Sequence, residues 1–184
     1  PGTLNITGAS TLAGGIANAG TVAAGTLGSS VVFPAGVVIQ AVDTSNNGEV
    51  TVQNNTFVDT GLTLSITPKF ATSKILVTCT QQVQAWNTSA YATARWRIMR
   101  NVGGGAFAAI YQDTSAANGN IFFYDYGGSG INCYSPVSYT MIDTPNTTSA
   151  CIYKTQGCQG SNGGNRAIFN GSAPARIVLQ EIAG

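Results

Sequence analysis

Histidine is absent from the 184 residues. Its absence removes the commonest general base near neutral pH and the commonest transition-metal ligand. A zinc site would need all four cysteines, Cys79, Cys133, Cys151 and Cys158, to converge, and no pair has CxxC spacing. Charge is almost as scarce: Asp, Glu, Lys and Arg make up 8% of the chain, against about 25% in an ordinary domain. Eight basic and seven acidic residues leave +1, which gives no electrostatic reason to expect nucleic acid or an anionic membrane as partner. A serine nucleophile would lack its histidine, no GxSxG occurs, and Asn101-Val102-Gly103-Gly104-Gly105 is too short for a phosphate loop. No metal, cofactor or catalytic motif is expected. There is no initiator methionine and no charged-then-apolar leader. The start at Pro1 points to a fragment whose anchor lies in a missing N-terminal region.

What is present begins with a long uncharged stretch. The first ionisable side chain is Asp43, and the residues before it repeat loosely as Thr-(Leu/Val) followed by small residues and glycine. No run there reaches the roughly 18–20 apolar residues that span a bilayer, so membrane insertion is not expected. Leu4, Ile6, Leu12, Ile16, Val22 and Leu27 are the only large apolar residues of 1–30, four to six apart in most cases. Short strand segments turning at glycines around a threefold axis would bury one of them each, making residues 1–30 an intertwined β stalk. A flexible Gly/Ser-type tether is the alternative, and the regular apolar residues argue against it. Residues 31–36, with Pro34 and Gly36, read as a joint.

From residue 37 to 184 nearly every segment is strand-like. DTGLTLSI places Leu62, Leu64 and Ile66 on one face and Thr63 and Ser65 on the other, the alternation of a half-buried strand. ATARWRIMR sets Ala94, Trp96 and Ile98 against Arg95, Arg97 and Met99. Strands are also expected near 37–42, 49–54, 74–83, 106–111, 121–126, 133–142, 150–155, 166–169 and 175–183, with loops at 114–120 and 156–165. No stretch carries a helical period. Turns every 8–12 residues predict an all-β head, a jelly-roll-like β-sandwich.

The candidate chemistry is recognition rather than catalysis. Asp113 and Asp125, near aromatic residues, are the carboxylates from which a glycosidase would be built, but such acidic residues are more often turn formers. Trp86, Asn87 and Tyr91 in QAWNTSAY, Tyr124 and Tyr126 before GGSG, and Tyr134 after it place aromatic rings among Asn, Gln and Ser. Such rings stack on sugars and recur at binding hot spots; core or inter-subunit packing is the other use for them. Arg166, after the Gly/Asn loop, is suited either to an acidic sugar or to pairing with Asp143. Cys79 reads as a small core residue. Cys151 and Cys158 are spaced to close a small loop or to remain free thiols.

GVVIQAV, NNTFVDTGLTLSITPKFATSKILVTCTQQV, RWRIMRN and the closing ARIVLQEIAG together resemble the C-terminal domain of tail-fibre and related virion proteins of tailed bacteriophages, especially marine and cyanobacterial ones. The resemblance spans about residues 36–184, and the repeats of 1–30 resemble fibre-shaft repeats. It implies a homotrimeric fibre with a head akin to the C1q and tumour-necrosis-factor trimers. The expected location is the virion tail, extracellular after release. The expected partners are a bacterial surface glycan or protein receptor and, through the upstream region, other virion tail proteins. A purely structural fibre or capsid decoration module fits the same residues, and a polysaccharide depolymerase fits less well. No catalytic residue comes with the resemblance.

Overall fold

The computed structural model describes residues 33–88, 91–112, 121–124, 130–160 and 166–184, with positions 91 and 121–124 as backbone. The six expected stalk residues, Leu4 to Leu27, lie outside them, as do Asp113, Asp125 and Tyr126.

The described residues form eleven strands and no helix: β1 (Val38–Asn46), β2 (Val50–Val52), β3 (Val58–Ile66), β4 (Lys74–Asn87), β5 (Tyr91–Val102), β6 (Ala108–Gln112), β7 (Ile121–Tyr124), β8 (Ile131–Asp143), β9 (Cys151–Gln159), β10 (Arg166–Phe169) and β11 (Ala175–Ile182). Every pairing is antiparallel. One sheet, A, runs β1-β11-β4-β10-β2 with β8 on the other edge of β4. The second, B, runs β3-β9-β5-β6 with β7 also on β5. The first strand pairs with the last, β1-β11-β4-β8 faces β3-β9-β5-β6, and the chain crosses between sheets at β2–β3, β3–β4, β4–β5, β7–β8, β8–β9 and β9–β10. That is the order of a jelly-roll sandwich, as the alternation predicts.

β4 organises sheet A. At 14 residues it extends about 45 Å at the usual strand rise. β8 pairs with its whole length on one side; β11 and then β10 share the other. Pro136 sits within β8, where an interior strand would lose a ladder bond. β8 is an edge strand, which tolerates it.

Between the sheets lie Leu62, Ile66, Ile75, Val77, Val83, Trp96, Ile98, Tyr153, Phe169, Ile177 and Leu179, all nearly or fully buried. A hydrogen-bonded chain crosses this core. Trp96 Nε1 donates to Gln81 Oε1 at 2.6 Å, and Gln81 Nε2 donates to Asn170 Oδ1 at 2.7 Å. Asn170 Nδ2 donates to the carbonyls of Thr60 and Gly48. Asn170 holds a left-handed backbone (φ 63°), which Asn tolerates better than most residues. Trp96 Nε1, both amide atoms of Gln81 and both of Asn170 thus have partners, the condition under which a polar core is not destabilising. Gly157 of β9 is required for packing, since a Cβ there would overlap the Phe169 ring.

Two expectations are corrected. Gly157 and Cys158 belong to β9, not to a loop beginning at 156. Cys151 and Cys158 are therefore about 23 Å apart along an extended strand, far beyond disulfide reach, and all four cysteines are free thiols. Burial pushes the Cys79 thiol up to about 12 and also raises those of Cys151 and Cys158.

Candidate functional site

The sandwich has two unlike ends. Phe33 joins at the near end, its ring edge-on to Phe70 at 6.3 Å. There Gly36 N donates to Ala183 O, and Ala183 N donates to Val37 O. Glu181 is fully buried beneath this end. Its carboxylate accepts from Lys69 N at 2.7 Å, Phe70 N at 3.3 Å and Gln40 Nε2 at 2.6 Å, so a buried charge is met by fixed donors. Asp143, also at this end, accepts from Arg100 Nη1 at 2.6 Å and from the Tyr153 hydroxyl at 2.7 Å. Burial, and then this bond to Asp143, raise the Tyr153 phenol above its ordinary range. Outward from sheet A the near end shows Val38, Ala41, Leu76, Ile142 and Ile182 together with Gln180 and the exposed Lys74, and Val38 and Ile142 are about half exposed (49% and 48%).

The far end holds the ends of β4 and β7 and the starts of β5, β8 and β10. Most sequence-selected residues meet here, though on strands rather than in loops. Trp86 and Asn87 close β4, because the alternation of 74–83 continues through Gln84 and Trp86 outward and Ala85 and Asn87 inward. Trp86 faces outward opposite Asn132 of β8 and Arg166 of β10. The Arg166 guanidinium lies over the Trp86 ring, 5.3 Å from its centroid, a cation–π contact. Tyr134 stands one outward position along β8, half exposed and opposite Gln84. Gln84 Nε2 donates to Asn132 Oδ1 at 2.5 Å. Asn87 is buried, 3% exposed, and faces the interior. Tyr91 and Tyr124 are register partners in β5 and β7 at the same end.

Arg166 does not pair with Asp143. Asp143 belongs to Arg100, and the two stand at opposite ends of β8, about 35 Å apart by strand rise. Arg166 Nε and Gln82 Oε1 are buried and lack a partner among the described residues. Gln82, Gln84 and Asn132 escaped the sequence reading. The period-2 run Gln82-Gln84-Trp86 was the signal for the first two, and Asn132, two before Tyr134, the signal for the third.

The outer face of sheet B is different again. Lys154 Nζ is 2.8 Å from Asp59 and 4.1 Å from the Phe107 ring centroid. Arg97 donates to Gln156 and Gln112, and it shares the Phe57 ring with Arg95. Burial raises the Asp59 carboxyl, but bonds from Lys154 and Gln156 and the Lys154 and Arg97 charges outweigh it and hold it below its ordinary value. Among the described residues no three His, Cys, Asp or Glu side chains converge as metal ligands would.

No family model and no curated protein matches the chain. Among solved structures, similarity extends to the infectious bursal disease virus Gx strain, at 13% identity and TM-score 0.34, covering 89% of this chain and 43% of that one. The T=1 particles derived from that virus match at 10% identity and TM-score 0.38, covering 89% and 41%. Its VP2 subviral particle matches at 11% and 0.33, covering 89% and 42%. This chain spans less than half of each, and the jelly-roll assignment rests on the sheet order above.

Proposed function

We propose that this chain is a virion structural module, the head of a tailed-phage fibre, that assembles as a homotrimer and attaches to a bacterial surface through its far end. The observation that carries the reading is the polarity of sheet A. The end where Phe33 joins turns an aliphatic patch of Val38, Leu76, Ile142 and Ile182 outward, with Gln180 among them and Lys74 at its margin, suited to packing between copies. The opposite end, about 45 Å away, gathers aromatic rings, amides and a guanidinium. Residues 1–30 supply the stalk of the trimer, and three weak sites on one trimer gain avidity by linkage alone. The reading assigns no catalytic step.

A purely structural fibre or capsid decoration role is the second reading. It is favoured by the outward Thr78–Thr140 and Thr80–Ser138 pairs along β4 and β8, a mild, uncharged surface beside an unpaired strand edge. Light scattering on the chain with and without residues 1–30 tests the assembly: a trimer that weakens on truncation is expected, and a monomer in both cases overturns it. Adsorption of the chain to host cells separates attachment from a purely structural role.

A further inference from the structure

We propose that the far end of sheet A binds carboxylate-bearing sugar rings of an anionic polysaccharide. The inference rests on the attachment reading and names its ligand. Three observations converge on the outward face of β10, β4 and β8.

The first is an unspent cation. Asp43, Asp59 and Asp143 are paired with Arg176, Lys154 and Arg100. Glu181 is held by backbone amides and Gln40, and Glu49 accepts from Thr51. Among the described residues no carboxylate pairs with Arg166, and its buried Nε has no partner. The guanidinium carbon lies over the Trp86 ring, and the Nη pair is the donor edge that a ligand would meet. That fork matches a carboxylate in two-point geometry. The second is the exposed Tyr134 ring, one outward position from the Trp86 rung and within the diagonal reach of cross-strand neighbours. An amphipathic ring of this kind takes the apolar face of a sugar. The third is the amide set. Asn132, exposed, and Gln84 hydrogen-bond one another between these two groups, and Gln82 Oε1 lacks a donor. Outward neighbours about 4.8 Å apart across strands and about 6.6 Å along them divide the face into cells of one ring each. The surface is a sheet face rather than a deep pocket, which suits units along a polymer.

The test uses the full chain and calorimetric titration with oligogalacturonate, alginate oligomers and hyaluronan fragments, each beside its methyl-esterified form, with dextran sulfate as a charge control. At least one acid form is expected to bind, with its ester weaker by about tenfold or more, the usual weight of a charge-assisted contact. Arg166→Gln is expected to lose about tenfold to the acid form while Arg166→Lys retains part of it. Tyr134→Ala, at an exposed position that leaves the fold intact by circular dichroism, is expected to weaken acid and ester forms alike. Equal binding of acid and ester, equal binding of dextran sulfate, or unchanged affinity in both Arg166→Gln and Tyr134→Ala overturns the inference. Adsorption to host cells without binding to any acidic oligomer overturns it while attachment stands; failure of both removes both.

Discussion

The near and far ends of sheet A share the same strand, β4, yet they spend their polar groups differently. At the near end two carboxylates, Glu181 and Asp143, are each met by two or three donors, and the outward side chains are mostly aliphatic, with Gln180 and Lys74 beside them. At the far end Arg166 Nε and, further along, Gln82 Oε1 are buried without a partner among the described residues, and the outward side chains are aromatic, amide or guanidinium. A buried polar atom without a partner costs roughly 1–3 kcal/mol. The near end spends its polar contacts on holding the fold, and the far end keeps some in reserve.

The largest expected effect breaks this comparison through assembly. Leu76→Lys with Ile142→Lys puts two charges into the aliphatic patch and is expected to convert the proposed trimer to a monomer by light scattering, while Trp86→Ala leaves the mass unchanged. A trimer that survives the lysine pair would show that the near end is not the packing surface. Next comes stability. Asp143→Ala strands Arg100 and the Tyr153 hydroxyl and is expected to cost about 3 kcal/mol in urea unfolding, whereas Arg166→Gln costs less than about 1 kcal/mol. Comparable losses would erase the distinction between the ends.

A smaller effect concerns access. Cys133 is half-buried at the far end, and the other three thiols are buried. At pH 8 a thiol reagent is expected to add once, at Cys133, and four times after denaturation, read by intact mass. The smallest effect lies on the charged sheet. Asp59→Asn is expected to cost about 0.5 kcal/mol, as for a solvent-screened pair. The folded-state carboxyl titrates below its unfolded value, so its contribution is present above the unfolded value and disappears as pH falls through the folded one. The difference between wild type and Asp59→Asn should therefore vanish in acid.

The strands that alternate strongly were legible in the sequence. Leu62 and Ile66 face the core, Thr63 and Ser65 face out, and Trp96 and Ile98 are buried as the spacing of ATARWRIMR predicts. The end of β4 was not legible, because its inward positions there are Ala85 and Asn87, which carry little apolar signal. The end of β9 was hidden by Gly157, which reads as a turn but makes room for the Phe169 ring. Glu181 carries the charge of a solvent face and is buried because the backbone amides of Lys69 and Phe70 fold over it. Trp86, Tyr134 and Arg166 were found by residue type, whereas their meeting at one end depends on β4 pairing with both β8 and β10, which no local pattern reveals.

That double pairing has a mechanical consequence. Tension between the far end and the chain at Val38 runs parallel to the strand axes, from β4 through β11 into β1. The ladder bonds joining these strands are then loaded in shear and share the force, instead of being peeled open one after another. Under the attachment proposed above, such a load would fall along the stiffest direction of the sheet.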